Sequence, residues 1–438
     1  MVLLKNFVNI FFIPELRKKV LFTLGVLIVH RMGNHIPVIG VDIDAMKQWM
    51  EGSSNLGGLL RHLDMFSGGA LAQSTIFALG IMPYITASIM MQMLGMTVPY
   101  LEQLLKEGEY GRKIVNQYTR YLAFFISIGQ SIFFATALEY NNLVVEPGWS
   151  FRLMFILSLT VGSMFVMWLG EQISLFGLGN GSSMIIFAGI VAQFPSHVIL
   201  TVNQVQEGFM DPIVAVLILC LFVVIIGCIV FLERGERKIP VQYTRRVVGQ
   251  RVYGGQSTYI PFKINAAGVM PVILAGVILN IPTFILTVLA ERFTSLKWLA
   301  DVMAPAGLLF NVFQFLAIIF FSFFYTALIF NPEEKAEDIK KAGGFIPGIR
   351  PGKKTAEFFN YILTRIGLVG AIYLAILALT PNIVAYFVYM PFYLGGTGLL
   401  IVVGVALETA AVIESYLIEH RYEGFLSSGR IRGWRTPR

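Results

Sequence analysis

The chain is poor in charged residues. Only 13% of its 438 residues are Asp, Glu, Lys or Arg, whereas 56% are hydrophobic. A soluble domain carries about a quarter charged residues, so this chain has too few to coat a water-exposed surface. The shortage excludes a soluble enzyme, a disordered protein and a fibrous protein. Long apolar runs predict an integral membrane protein made of helices, because a β-barrel shows only short alternating segments.

Cysteines and catalytic motifs are also scarce. Cys220 and Cys228 are the two cysteines, and both lie in one apolar run. Along a helix they would be about 12 Å apart, which is too far for a disulfide. The glycine-rich stretch 177–181 lacks the strand–turn–helix context of a nucleotide-binding loop, and we recognise no metalloprotease or Ser/His/Asp pattern. We therefore predict no cofactor, no metal site and no catalytic residue.

Ten apolar runs are long enough to cross a bilayer core of about 30 Å, which takes about 20 helical residues. They cover roughly 20–38, 74–96, 117–138, 152–170, 183–202, 212–232, 266–288, 307–330, 363–382 and 395–417. Of the 33 Lys and Arg residues, 27 fall on the face that carries both termini. The positive-inside rule then predicts cytoplasmic termini. Five spans on each side of residue 203 permit two inverted halves.

The predicted spans contain almost no ionisable side chains. His30 is typical of a packed neutral histidine, and Glu408 and Glu414 come late in the last span. A secondary transporter of small solutes would need a polar site and coupling ions at mid-membrane. An intramembrane enzyme would need a catalytic dyad or metal ligands there. The spans supply neither set, so the sequence disfavours both classes, which stay as alternatives.

The segment at about 53–67, between the first two spans, has an unusual pattern. Four of its leucines share one helical face: Leu56, Leu59, Leu60 and Leu63. The helix is too short to span, and Gly68 and Gly69 follow it. Irregular backbone at membrane depth requires burial in protein or an aqueous cavity. Two interpretations stay open, a helix in a surface loop or a half-helix folded into an outer funnel.

Two long loops, 233–265 and 331–365, are rich in Lys and Arg and also contain Tyr, Phe and Pro. Part of this charge serves only to orient the chain in the membrane. The loops are nevertheless longer than orientation requires, and basic loops with aromatic residues offer a docking surface to an anionic partner. RNA is one such partner, and it would be contacted through its phosphates.

Six motifs, in order, resemble the SecY family, whose members are the central subunit of the bacterial protein-conducting channel. The motifs are Phe66–Leu71, Ile81–Ile85, Trp168–Ile173 with Gly179–Gly181, Phe330–Pro332, Pro347–Gly352 and Phe392–Thr397. The resemblance runs essentially from residue 15 to 425. It implies an all-α membrane protein of ten transmembrane helices, in two inverted five-helix halves around a central pore. The halves would be 1–202 and 203–417, followed by a basic cytoplasmic tail, 418–438.

The resemblance also implies a pore ring, a plug and a plug hinge. The ring would be Ile81, Ile85, Ile186, Ile273 and Ile401. A collar of branched apolar side chains is hard to wet and would block ions. Taken alone, a pair such as Ile81 and Ile85 is equally compatible with a packed core or a lipid-facing surface. The plug would be the segment at 53–67, with the four leucines above and Phe66, and its hinge would be Gly68 and Gly69.

The remaining implied sites are a lateral gate and a docking surface. Asn265 matches a polar gate position, and Gln92 and Gln130 are candidate partners for it. Arg251 and Arg350 match docking positions for the SecA motor ATPase and the ribosome, although Gln250 stands where the family pattern has another arginine.

The implied function is passage of unfolded secretory polypeptides across the cell membrane, with lateral release of signal sequences into the lipid bilayer. The motor or the ribosome would drive it, SecE and SecG would be the small subunits, and this chain would not itself be an enzyme.

Overall fold

A computed structural model of the chain describes most of its residues: 13–51, 60, 64–243, 246–248, 251–253, 257–293, 296–304, 307–387 and 395–428. Within these ranges fourteen helices and five strands are assigned. The chain divides into two compact units. The first unit comprises Met1–Trp49, Leu63–Gln193 and Val405–Arg438. The second comprises Met50–His62 and Phe194–Gly404.

Helices make up most of the described chain, and all five strands fall between α8 and α13. The helices are α1 Pro14–Gly33, α2 Ile43–Glu51, α3 Met82–Thr97, α4 Pro99–Lys106, α5 Glu109–Tyr140, α6 Trp149–Phe176, α7 Gly181–Gln206, α8 Pro212–Arg234, α9 Met270–Arg292, α10 Lys297–Val302, α11 Leu308–Ile329, α12 Pro332–Lys341, α13 Lys353–Phe387 and α14 Gly396–Ser428. The strands are β1 Glu236–Tyr243, β2 Arg246–Val248, β3 Arg251–Tyr253, β4 Ser257–Lys263 and β5 Gly344–Phe345.

Seven helices within the described ranges are long and apolar enough to cross a membrane. They are α5, α6, α7, α8, α11, α13 and α14. Helix α3 has only 16 residues, α1 carries charges at both ends, and the part of α9 that qualifies as apolar runs over Met270–Leu279. A helix nevertheless overlaps each of the ten predicted spans. The helical membrane fold is confirmed, and the count of ten transmembrane helices stays a prediction.

The second span begins later than the sequence indicates. We predicted it over 74–96, but helix α3 begins at Met82. Main-chain hydrogen bonds hold the preceding residues in another conformation: the Val38 N–H donates to the Ser74 carbonyl, and the Ile76 N–H donates to the Ile36 carbonyl. These bonds use the groups that a helix would need. The apolar residues before Met82 therefore form an extended and turning segment instead of the first turns of the helix.

In the first unit α3 packs on α5, α5 on α6, and α1 on α6. Glycines allow the backbones to approach closely. A Cβ at Gly162 would overlap the carbonyl of Ile76, and one at Gly181 would overlap the carbonyl of Gly170. Small residues at such crossings are typical of helix packing in membranes. The end of α14 belongs to the same unit, and there Val412 packs with Leu16 and Leu178.

In the second unit α9 packs on α11, and α13 packs on both α11 and α8. The loop after α8 forms a sheet with strand order β4-β1-β5. Strands β1 and β4 are antiparallel, with Glu236 opposite Lys263 and Gln242 opposite Ser257. Their apolar side chains pack with α12 and α13 around Phe359, which is fully buried between Phe262 and Phe330. The two loops predicted to be basic surfaces thus share one folded core.

Two other predictions concern the ends and halves of the chain. The last span was predicted to end at 417, whereas α14 continues as a helix to Ser428. No proline interrupts this stretch, so the helix outlasts its apolar run. The division into halves 1–202 and 203–417 and a tail 418–438 stays a prediction. Residues 1–12 are outside the described residues. The stretch Phe7–Ile13, which we interpreted as lying on the membrane surface, is therefore described only at Ile13.

Candidate functional site

Three of the five ring isoleucines belong to the first unit. Ile81 immediately precedes α3, Ile85 follows one turn later, and Ile186 lies in α7. Each is buried, with at most 7% of its surface exposed. Gly170 in α6 provides the space for Ile81, because a Cβ there would lie 3.1 Å from the Ile81 Cδ1 atom. The three isoleucines are thus buried by close packing inside the unit.

The other two ring isoleucines belong to the second unit. Ile273 lies in the first turn of α9, which Pro271 begins, and Ile401 lies in α14. They are 7% and 1% exposed. A Cβ at Gly404, one turn after Ile401, would overlap the side chain of Val269, so α14 closely approaches the residue that precedes α9. Whether all five isoleucines meet in one ring stays a prediction.

The predicted plug lies only partly within the described residues. Leu56, Leu59 and Leu63 are outside them. Leu60 is 2% exposed and Phe66 is 8% exposed, so both are buried. Residues 64–67 are helical and are followed directly by Gly68 and Gly69.

Gly68 and Gly69 adopt backbone conformations that favour glycine. Their φ angles are 74° and 88°, in the region that side chains with a Cβ rarely adopt. Gly68 also lies directly against α7, since a Cβ there would be 2.8 Å from the Gly189 Cα atom. The sequence predicted a hinge at these glycines, and the structure adds a packing reason for Gly68.

Side chains from α1 and α7 hold the backbone around the glycine pair. The Arg31 guanidinium donates to the Gly68 carbonyl at 3.0 Å, and the Asn34 amide donates to the Ser67 carbonyl at 3.2 Å. The Gln193 amide, from α7, donates to the Asp64 carbonyl at 3.3 Å. Sequence reasoning missed these contacts and interpreted Arg31 as a residue that reaches towards the outer membrane surface. Its neighbour His30 is buried and stacks on Phe77.

The Asp64 carboxylate organises the same stretch from within. Its Oδ1 atom accepts hydrogen bonds from the backbone N–H groups of Leu71 and Ala72, at 2.9 and 3.1 Å, and from the Ser67 hydroxyl at 3.1 Å. Burial raises the pKa of the Asp64 carboxyl, and the hydrogen bonds from Ala72, Ser67 and Leu71 partly oppose that rise. A lone acid in an apolar segment is costly unless it is satisfied. The presence of an acid in this apolar segment is therefore the sequence signal that could have identified Asp64 as a structural residue.

Asn265, the predicted gate residue, is engaged within its own unit. Its side-chain amide donates to the Glu233 Oε1 atom at 2.6 Å and to the Gly268 carbonyl at 2.9 Å. The Gln92 amide donates to the Ser88 hydroxyl, one turn earlier in α3, and Gln130 lies half-buried in α5. Glu233 was not predicted, because it is 32 residues before Asn265 in the chain. The assignment of all three amides to a lateral gate stays a prediction.

The predicted docking residues lie on or beside the folded sheet of the second unit. Arg350 is exposed, and its carbonyl accepts a hydrogen bond from the Thr355 hydroxyl at the start of α13. Gly348 and Gly352 flank it with φ angles of 84° and 99°. Arg251 is in β3, where its backbone pairs with Val248. Over the described ranges, no three His, Cys, Asp or Glu side chains come together as a metal site.

The fold is that of a class of helical membrane proteins whose structures have been solved. It superimposes on a solved structure described as "The structure of a protein conducting channel" with a TM-score of 0.64, 17% identity, and coverage of 91% of this chain and 92% of the other. A second structure, of a SecY protein with its plug domain, gives a TM-score of 0.62 at 17% identity, with coverage of 91% and 92%.

The chain belongs to the SecY family. The family model, SecY, matches residues 75–410. Protein translocase subunit SecY of Aquifex aeolicus is 43% identical over 424 residues, which cover 95% of this chain and 98% of the relative. The subunit of the same name from Escherichia coli K12 is 43% identical over 427 residues, which cover 96% of each. Membership supports the protein-channel hypothesis and does not support the small-solute transporter hypothesis.

Proposed function

We propose that this chain forms the gated pore through which unfolded polypeptides cross a membrane, and that the five isoleucines close it. The observation that carries the proposal is that all five positions hold isoleucine and all five are buried. Side chains that make no hydrogen bonds impose a dewetting barrier on water and ions. The same side chains can deform around a passing chain, because they recognise no particular sequence.

The pore would also open sideways. In this proposal Asn265, Gln92 and Gln130 are the polar residues of a lateral gate, which releases signal sequences and transmembrane helices into the lipid bilayer. Polar contacts between membrane helices are each worth only about 0.6–2 kcal/mol. A gate held by a few of them would be marginally stable, so an apolar segment could replace one helix contact with another. The bond from Asn265 to Glu233 would then compete with contacts across the gate.

The driving force would come from partners, and the chain itself would catalyse no reaction. The exposed Arg350, and Arg251 in β3, would contribute to a docking surface for the SecA motor ATPase and the ribosome. A solved relative, Sec61, is described in a ribosome-channel complex. SecE and SecG would complete the channel. The excess of Lys and Arg on one face supports a multi-pass protein of the cell membrane with both termini cytoplasmic.

The test of the ring is ion leakage through resting channels. Replacing the five isoleucines by serine should make vesicles that contain the protein leak ions, because hydroxyl groups allow water to fill the constriction. Chloride flux, followed with a fluorescent indicator inside the vesicles, measures the leak. Replacing the same residues by leucine is the matched control, since it keeps the volume and the apolar surface. Serine variants that fold and stay as tight as the leucine variants would contradict the ring.

A further inference from the structure

The contacts around Gly68 and Gly69 are denser than a hinge requires. A hinge is a short segment whose backbone angles change when the parts on either side move. Here, Arg31 in α1 and Asn34 directly after it donate to the consecutive carbonyls of Gly68 and Ser67, and the Gly68 backbone packs closely against Gly189. Changing the φ angles of either glycine would break several of these contacts together.

We propose that Arg31, Asn34, Asp64, Ser67 and Gln193 form an anchor that fixes the end of the plug segment to α1 and α7, with Gly68 and Gly189 as its packing contact. In this view Gly68 and Gly69 are glycines because of close approach and positive φ, and not because they bend during gating. The five anchor residues are positioning residues. The proposal deepens the proposed function and rests on it for the role of the plug.

Three features of the anchor support a fixed structure. First, the side chains that form the hydrogen bonds come from three parts of the chain. Arg31 lies in α1 and Asn34 directly follows it, Gln193 lies in α7, and Asp64 lies in the segment itself. Second, they bind backbone carbonyls and N–H groups, so they constrain the path of the chain rather than one side chain. Breaking the buried bond from Asn34 to the Ser67 carbonyl would leave polar groups without this partner, which opposes movement.

The third feature is the space around the two glycines. At Gly68 an added Cβ would meet Gly189 at 2.8 Å, a distance that requires a backbone to shift. At Gly189 an added Cβ would lie 3.4 Å from both the Cα and the N atom of Gly68. The second position lies on α7, outside the plug segment. Alanine there would make ordinary van der Waals contact, so valine is needed to displace the anchor without changing the conformational freedom of Gly68 or Gly69.

The experiment reports first on the position of the segment and then on the seal. Cys220 and Cys228 are replaced by serine, and Ala70, which is fully buried beside the glycine pair, is replaced by cysteine as a reporter. The rate of its reaction with N-ethylmaleimide is measured in the purified full chain. Overpacking at Gly189→Val or Gly68→Ala should raise this rate about tenfold, because it favours local opening. Gly129→Ala is the control, since nothing lies within 4 Å of that position.

Arg31→Met provides a variant without overpacking. It replaces the guanidinium group with an apolar group that cannot donate to the Gly68 carbonyl. It should therefore also raise the rate at which the reporter cysteine reacts with N-ethylmaleimide. The same variants are then reconstituted in vesicles without the reporter, where the anchor predicts a chloride leak above that of Gly129→Ala. Faster reaction without a leak would uphold the anchor and count against the proposed channel seal.

Two results would overturn the anchor. One is an unchanged reaction rate in Gly68→Ala, Gly189→Val and Arg31→Met, measured on protein that elutes as a folded monomer or dimer. The other is a hinge-like result, in which Gly68→Ala slows polypeptide transport while leaving both the thiol reaction and the chloride leak at control level, and Gly189→Val has no effect.

Discussion

At the scale of single residues, two polar side chains are each held by several partners. Asp64 accepts from two backbone N–H groups, and Asn265 donates to Glu233 and the Gly268 carbonyl. Leaving such groups unpaired in an apolar environment is costly. Removing one of these side chains would therefore lower stability mainly because its hydrogen-bond partners would be left unsatisfied.

Asp64→Ala should destabilise the protein by about 1–3 kcal/mol, because the N–H groups of Leu71 and Ala72 lose their acceptor in a buried place. Asp64→Asn should cost clearly less, since an amide oxygen can accept the same bonds without a charge. Thermal unfolding in detergent, followed by circular dichroism, gives the order of the variants. Asp42→Ala is the matched control: its Oδ1 atom also accepts from two backbone N–H groups, those of Asp44 and Ala45, but at an exposed position. Equal losses at Asp64 and Asp42 would contradict the role given to burial.

At the scale of elements, the sequence predicted most of the helices but not how they begin. Apolar runs located a helix near each predicted span, because a bilayer imposes one length on every crossing. The start of α3 was predicted eight residues too early, since residues 74–76 adjoin the apolar run but pair with residues 36–38. Pairing between segments so far apart in the chain leaves no local pattern to read.

The same distinction holds for the candidate site: residues within local motifs could be predicted from the sequence, and contacts between distant positions could not. Ile81, Ile85 and the glycine pair could be named from motifs, because each motif is a run of adjacent residues, whereas the other three isoleucines were assigned from the resemblance of the whole chain. The contacts of Arg31, Asn34 and Gln193 could not, because they join positions 33 to 129 residues apart. A hydrogen bond from a side chain to a distant carbonyl depends on the packing of three elements and leaves no periodic signal in any of them.

The sheet packed on α12 and α13 is an element whose stability can be tested alone. Phe359→Ala should destabilise this part by about 3–5 kcal/mol, because it removes a fully buried ring from between Phe262 and Phe330 and leaves a cavity. Limited proteolysis of the loop after β1, compared with the unchanged protein, measures the loss. The control Tyr361→Ala removes a half-exposed ring on the same helix and should have little effect. Comparable cleavage of both variants would argue against a core centred on Phe359.

At the scale of the whole molecule, the composition and the fold agree on a protein made to reside in a bilayer. A chain with 13% charged residues has few side chains that could bind a small charged solute. Many of its exposed charges lie in loops or near the ends of helices, as Arg350 does after β5 and Lys113 near the start of α5. This arrangement suits a channel that depends on others for its driving force.

Arg350→Glu should lower motor-driven transport of a precursor protein into vesicles by about tenfold or more, because it replaces a docking charge with its opposite. The protein should stay folded, since the Arg350 side chain is exposed and the Thr355 hydroxyl bonds to its carbonyl. Protease-protected precursor, measured with the SecA ATPase and ATP, gives the rate. Lys341→Glu, an exposed charge reversal on α12, is the control. Normal transport by Arg350→Glu would remove this residue from the docking surface, and uptake of small solutes without precursor transport would reject the channel itself.

Strands β1 and β4 are paired over seven residues, from Glu236 opposite Lys263 to Gln242 opposite Ser257. This ribbon is about 23 Å long. One end adjoins the last turn of α8 and the short segment that leads into α9 and Ile273, while β2 and β3 lie towards the other. A load applied at the far end therefore acts with a long moment arm, so a small force there becomes a torque on the base of α9.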